Sequence, residues 1–222
     1  MTTRRRDWPL LTGLIALSAL PTLGSALRVA ALAGGAEVTA ANERFFAAPV
    51  PVLLHIAAAV TFSLLGAFQF APGFRQRHRA WHRRAGRALV VCGLVVAATG
   101  WWMNATYPLP AGDGPLLMVL RYLFAAGMFV AVALGFVAVR RRRLPQHRAW
   151  MMRGYAIAQG AGTQGVLLST WALAVGPTTE LSRALLMGAA WTLNLLVAEW
   201  LIRRRRPGTV PATHPATFAA TG

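Results

Sequence analysis

The sequence predicts an all-α, polytopic membrane helix bundle with six transmembrane helices, and three observations carry that prediction. Of 222 residues, 56% are hydrophobic and only 13% are charged, against about a quarter charged in a soluble domain. Mean hydropathy is +0.48. Six apolar segments approach the ~20 residues that a helix rising ~1.5 Å per residue needs to cross a ~30 Å hydrocarbon core. All 23 basic residues are arginines, and they cluster at alternate segment boundaries. The apolar–polar alternation of barrel strands is absent.

The elements follow in order. The first segment, Leu10–Ala33, begins behind Arg4, Arg5 and Arg6 and contains Pro21, which predicts a kink. A cleaved signal peptide ending near Ala31-Leu32-Ala33 is the competing reading, but the apolar run exceeds the ~7–15 residues of a signal core. Gly34–Pro49 is a loop, within which Val38–Phe46 predicts a short interfacial helix. Val50–Phe70 is the second segment. Ala88–Met103, the third, is short and is expected to start within the basic stretch before it. Asn104–Pro115 is a Pro- and Gly-containing turn. Leu116–Val139, Trp150–Val175 and Leu181–Ile202 complete the six. The last stretch, Pro207–Gly222, lacks apolar periodicity and is expected to be a disordered tail. The organisation predicted is 1–49 for the first helix and outer loop, 50–175 for a repeated four-helix core, 176–206 for the sixth helix and 207–222 for the tail.

Charge gives the topology. Arginine runs precede the first segment and follow the second, fourth and sixth, leaving only Arg28, Arg44, Arg121 and Arg183 elsewhere. Positive charge stays cytoplasmic on insertion, so both termini are expected inside a bacterial inner membrane. A net charge of +17 would suggest nucleic acid in a soluble protein. Here the arginines fall where the positive-inside rule requires them, so the partners expected are the bilayer and its anionic headgroups, with no nucleic acid. A membrane partner subunit or a homo-oligomer stays open. Trp8, Trp81, Trp150 and Trp200 lie near the inner boundary, Trp101, Trp102 and Trp171 near the outer one, and Trp191 deep. The lone Cys92 excludes an intramolecular disulfide and reads as a packing residue.

The most informative motif is His78-Arg79-Ala80-Trp81, which recurs as His147-Arg148-Ala149-Trp150 sixty-nine positions later. Gly66 and Gly135, and Arg84 and Arg153, share that offset. A duplicated hairpin predicts parallel repeats, with both basic motifs at one membrane face. Chain segments leaving that face present helix N-termini, whose free N–H groups attract anions. Arg87 and Arg153 add planar donors there, and His82 and His147 lie in the same zone. These residues predict a pocket for a lipid phosphate, a phosphorylated metabolite or haem propionates; the alternative is simple anchoring to anionic lipid.

Other polar groups sit within the spans. His55, Gly66 and Gln69 share one side of the second segment, with His55 near the outer end. Tyr155, Gln159, Thr163 and Thr170 form a stripe ~80° wide on the fifth, beside Gly160, Gly162 and Gly165. Interhelical hydrogen bonding is the simplest account of that stripe, and a small-solute path the other. A b-type haem needs two facing imidazoles, for which His82 and His147 are the candidates. His78 and His82, at i and i+4, share a helix face but lack an evident third metal ligand. P-loop, GxSxG, HExxH and mid-membrane carboxylate signals are missing, which weakens ATP-driven, hydrolytic and proton-pumping readings.

Several blocks together carry a family resemblance: His55-Ile56, Gly66-Ala67-Phe68-Gln69-Phe70, Arg75, His82-Arg83, Gly86-Arg87 and His147-Arg148-Ala149-Trp150-Met151-Met152-Arg153. In order and spacing they resemble a bacterial family of predicted membrane proteins, domain of unknown function 2306 (DUF2306), over about Val50 to Gln164. The resemblance implies membrane placement and singles out His55, Gln69, His82, Gly86, Arg87, His147, Trp150 and Arg153; it implies no reaction. Ala67 stands where that pattern has Pro, and Gln164 where it has an Arg-containing block.

The reading as a whole is a non-enzymatic inner-membrane module. Its candidate ligand-binding residues are His55, Gln69, His82, Arg87, His147, Trp150 and Arg153, with no catalytic residue. The alternatives are a haem- or quinone-linked redox subunit using His82 and His147, and a small-solute transporter.

Overall fold

A computed structural model describes the backbone of residues 3–204 and the side chains of residues 7–204. The tail expected at 207–222 and the Arg5-Arg6 pair's side chains lie outside the described residues. The described chain is all helix and loop: α1 (Thr3–Ala33), α2 (Glu43–Ala47), α3 (Pro49–Gln69), α4 (Pro72–Arg77), α5 (Arg79–Thr106), α6 (Pro115–Arg140), α7 (Leu144–Ala158), α8 (Gly160–Ala174) and α9 (Glu180–Arg204). Five of these, α1, α3, α5, α6 and α9, are long and apolar enough to cross a membrane.

Helix starts follow local chemistry. Prolines occupy the first turns of α3, α4, α6 and α7, where the missing N–H costs nothing and φ is already helical. Asp7 of α1 is buried and accepts the Phe74 N–H at 3.0 Å, capping α4 from a distance of 67 residues in sequence. The short interfacial helix is smaller than expected. Asn42 Oδ1 accepts the Thr39 N–H at 2.7 Å and Asn42 N–H donates to Thr39 O at 3.0 Å; this turn takes up the start of the Val38–Phe46 stretch, leaving helix only from Glu43. Pro21 lies inside α1 without ending it.

The fifth apolar segment is two helices. Gln159 caps the end of α7 and the start of α8. Its N–H still donates to Tyr155 O at 2.9 Å, and Thr163 N–H donates back to Gln159 O at 3.3 Å, so α8 continues the direction of α7.

The core lies among α3, α5, α6 and α7. Ala58 and Phe62, Leu89 and Val96, Met128 and Val132, and Tyr155 and Ile157 bury against one another there. The two hairpins, α3 with α5 and α6 with α7, meet through α5 and α6. α1 packs on α3 and α8, and α9 on α6, α7 and α8. Large apolar side chains face outward along the bundle, among them Leu27, Val91, Leu123 and Leu196, each more than 60% exposed. In water such a belt would drive association; against lipid tails it costs nothing.

Several polar groups inside this bundle are paired across helices. Tyr155 OH donates to Ser63 O at 2.7 Å and accepts Gln159 Nε2 at 2.6 Å, while Gln159 Nε2 also reaches Ser18 Oγ at 3.1 Å. Thr163 Oγ1 donates to Asn194 Oδ1 at 3.0 Å, and Asn194 Nδ2 to Ala156 O at 3.2 Å. The stripe on the fifth segment therefore ties α7 and α8 to α1, α3 and α9. At the end opposite the His-Arg-Ala-Trp motifs, Asp113 has a fully buried side chain. It accepts Arg121 and Arg183, each at 2.6 Å, clamping the α5–α6 loop onto α6 and α9.

Candidate functional site

The two His-Arg-Ala-Trp motifs come together at one end of the bundle, where α3 and α6 end and α5 and α7 begin. Their copies perform different tasks. His78 is the N-cap residue of α5; its carbonyl accepts the His82 N–H at 2.9 Å, and its ring packs on Phe74 at 4.6 Å between centroids. Trp81 meets Phe74 edge-on at 4.9 Å. His147 lies inside α7, and its Nδ1 is 2.8 Å from Gly135 O. A carbonyl only accepts, so the imidazole carries its proton on Nδ1 and leaves Nε2 as the free nitrogen. The paired glycines also differ. A Cβ at Gly135 would meet Met151 Sδ at 2.7 Å, whereas one at Gly66 would meet the Tyr155 ring.

Both arginines expected at helix N-termini lie further in. α5 begins at Arg79 and α7 at Leu144, so Arg87 and Arg153 stand in the third turns, ~12 Å along the axis from the first residue. Arg87 is exposed. Arg153 donates to Glu199 from Nε at 2.5 Å and from Nη2 at 3.1 Å, and its guanidinium lies 4.6 Å from the centre of the Trp150 ring. This fork, its side chains 24% and 32% exposed, joins α7 to α9 with its cation–π contact and is worth about 1 kcal/mol. Trp150 and Arg153 therefore serve the α7–α9 contact first.

What this end leaves unsatisfied is more informative. Gln69 Nε2 and His82 Nδ1 are buried and have no hydrogen-bond partner among the described residues. Gln69 closes α3, and its Oε1 would lie 3.8 Å from a Cβ built on Gly86, one turn of α5 beyond His82. Arg75, His147 and Arg83 are the electrostatic neighbours of His82. Buried polar atoms are almost always paired, so an unpaired donor marks a site of strain, water or ligand. Two such atoms from facing helices, with arginine and histidine nearby, suit an oxygen-rich or anionic group. His82 therefore has His147, Arg75 and Arg83 around it, with Gln69 near Gly86 one turn along α5; Arg87 and Arg153, which the sequence placed with the two histidines, are not among these neighbours. His82 and His147 are also the pair through which a haem would be held. No group of three His, Cys, Asp or Glu side chains able to hold a metal ion occurs among the described residues.

His55 lies at the other end. Its Nδ1 is 2.9 Å from Thr99 Oγ1, and its ring lines a separate cavity of about 380 Å³ that opens to the surface at exposed Pro108, Leu109 and Ala161. Asn104 and Arg121 line that cavity, and Asp113 joins Arg121 to Arg183 beside it; the sequence set Arg121 and Arg183 apart from the arginine clusters but proposed none of the four as a site residue. The available signal was Arg121, a lone cation inside an apolar segment, eight residues beyond a lone acid.

Comparison with known proteins agrees with this architecture without adding a reaction. No curated protein and no solved structure matches the chain. A family model described as predicted membrane protein (DUF2306) matches residues 52–202, from the start of α3 nearly to the end of α9. The chain belongs to that family, a membrane protein family of unknown function.

Proposed function

We propose that this protein is a membrane-embedded binding module whose His/Arg end holds the oxygen-bearing, anionic headgroup of a lipid or similar amphiphile. The observation that carries this reading is the pair of buried, unpartnered atoms Gln69 Nε2 and His82 Nδ1 beside Arg75. Both can donate to a phosphate or carboxylate oxygen, and Arg75 would supply the charge. His147, anchored through Nδ1 to Gly135 O, would stand beside the same group, its free Nε2 accepting from a hydroxyl of the headgroup.

The test is native mass spectrometry of protein extracted in mild detergent, with phosphatidylglycerol as the probe and phosphatidylcholine as the control. Charge-assisted hydrogen bonds contribute about 1.5–3 kcal/mol, so Gln69→Leu and His82→Leu are each expected to weaken phosphatidylglycerol retention about tenfold or more. After delipidation, Gln69→Leu is expected to melt no lower than the parent, because it removes an unsatisfied donor. Retention unchanged in both variants would overturn the reading. A Soret band in the spectrum of the purified protein would replace it with the haem alternative at His82 and His147, for which the Nδ1-anchored imidazole is the favouring observation.

The same reading places the His/Arg end in the cytoplasm and makes α7 with α8 a sixth crossing. The arginine runs at that end support this orientation. Single cysteines at Ala80 and Ala149, in a Cys92→Ser background, are expected to react with impermeant maleimide in inverted vesicles and to be protected in right-side-out cells. Labelling of the two positions from opposite sides would contradict it.

A further inference from the structure

The cavity at the Asp113 end has the organisation of a second ligand site. Its wall comes from α2, α3, α5, α6, α7, α8 and α9, and its volume of about 380 Å³ lies in the lower part of the range for small-molecule sites. It is polarised along its length. Arg44 and Arg121 stand with Pro108 and Pro110 at the loop end, while Phe124, Met128 and Trp191 line the depth. Phe124 and Trp191 stack there with centroids 4.6 Å apart. Such a gradient matches a molecule with one charged end and an apolar body.

The loop end gathers Arg28, Arg44, Arg121 and Arg183 with the carboxylates of Glu43, Asp113 and Glu180. Arg28 and Arg44 lie over the Phe45 ring, 4.2 and 4.5 Å from its centre. Asp113 is already shared between Arg121 and Arg183. Partial burial, then the Arg28 charge, lower the Arg44 pKa from its ordinary value, with Asp113 and Glu43 acting the other way. An anion placed there would relieve that repulsion.

Below the arginines the wall offers acceptors. Asn104 Nδ2 donates to Met118 O at 3.0 Å, while its Oδ1 is buried with no partner among the described residues. Thr99 Oγ1 lies 2.6 Å from Val95 O, which takes its single proton. His55 Nδ1 must then donate to Thr99, leaving Nε2 as an acceptor. One unused acceptor, with a second on the facing helix, calls for a donor on the ligand.

We propose that this cavity binds an anionic, single-chain amphiphile that carries a hydroxyl near its head: the carboxylate or phosphate at Arg44 and Arg121, the hydroxyl at Asn104 Oδ1 or His55, and the chain against Phe124, Met128 and Trp191. This site is separate from the one at the His/Arg end and shares none of its residues.

The test uses full-length protein in phosphatidylcholine nanodiscs, equilibrium dialysis with radiolabelled amphiphiles, and empty nanodiscs as background. Decanoate is expected to bind saturably, beta-hydroxydecanoate about tenfold more tightly, and decanol and decyltrimethylammonium no more than in empty discs. Arg44→Gln, whose guanidinium forms no ion pair with a described side chain, is expected to weaken decanoate binding at least tenfold with the melting temperature unchanged. Ala161→Phe, which fills the cavity, is expected to abolish saturable binding while leaving phosphatidylglycerol retention at the His/Arg end intact. Equal binding of decanol and decanoate, indifference to the hydroxyl, or binding that survives both substitutions would overturn the proposal.

Discussion

The Gly162→Ala substitution is expected to destabilise the bundle by about 3 kcal/mol or more, the largest effect of any single methyl group in this protein. A Cβ at Gly162 would lie 2.0 Å from Leu17 O and 2.8 Å from Leu17 C. Those atoms are backbone of α1, so no side-chain rotation relieves the clash; α1 and α8 must separate. Close approach of this kind is what small residues provide between helices in lipid. Gly165→Ala is the control. Its Cβ would meet Leu20 Cδ2 at 2.5 Å, the end of a flexible side chain that can turn away, and about 1 kcal/mol is expected. Reversible unfolding in mixed micelles reads both. Equal destabilisation by the two variants would show that the α1–α8 contact is looser than described.

Second in size is Asp113→Asn. Asp113 is buried and its two partners, Arg121 and Arg183, are about a quarter and a third exposed. Removing the shared carboxylate leaves two cations facing each other in a partly dry site. Breaking a fully buried pair costs about 3–5 kcal/mol; solvent reaching the guanidinium groups reduces this to about 2 kcal/mol. In a chain of this size that corresponds to a fall of about 4–8 °C in melting temperature. Arg121→Gln should cost less, because Asp113 retains Arg183. The double variant Asp113→Asn with Arg121→Gln should recover part of the loss, since one stranded charge is gone. A double variant less stable than the sum of its parts would contradict the three-way clamp.

How much of this was legible beforehand depends on distance along the chain. Apolar runs located the long helices because lipid demands length and hydropathy, both local properties. The start of α5 at Arg79 falls in the basic stretch where the sequence placed it, because long Arg side chains let a helix continue into the polar interface. The division of α7 from α8 at Gln159 leaves an averaged hydropathy almost untouched. Trp191 was read as deep, and it stacks on Phe124 within the bundle. The nearness of His147 to His82 required only that the short turns at one end bring the hairpins together. The partners of single charges were not legible. Glu199 meets Arg153 from 46 residues away, and Asp113 meets Arg183 from 70. Nothing local encodes either meeting. The repeat carried a similar lesson: His78 and His147 occupy matching sequence positions, yet one caps a helix and the other is anchored to Gly135 O.

The most direct test of the account is a crystal structure of protein purified without delipidation. It should show non-protein density, with an oxygen within hydrogen-bond distance of Gln69 Nε2 and His82 Nδ1. Finding those two atoms bonded to each other, or to protein groups alone, would contradict the claim that this end of the bundle is built to hold a ligand.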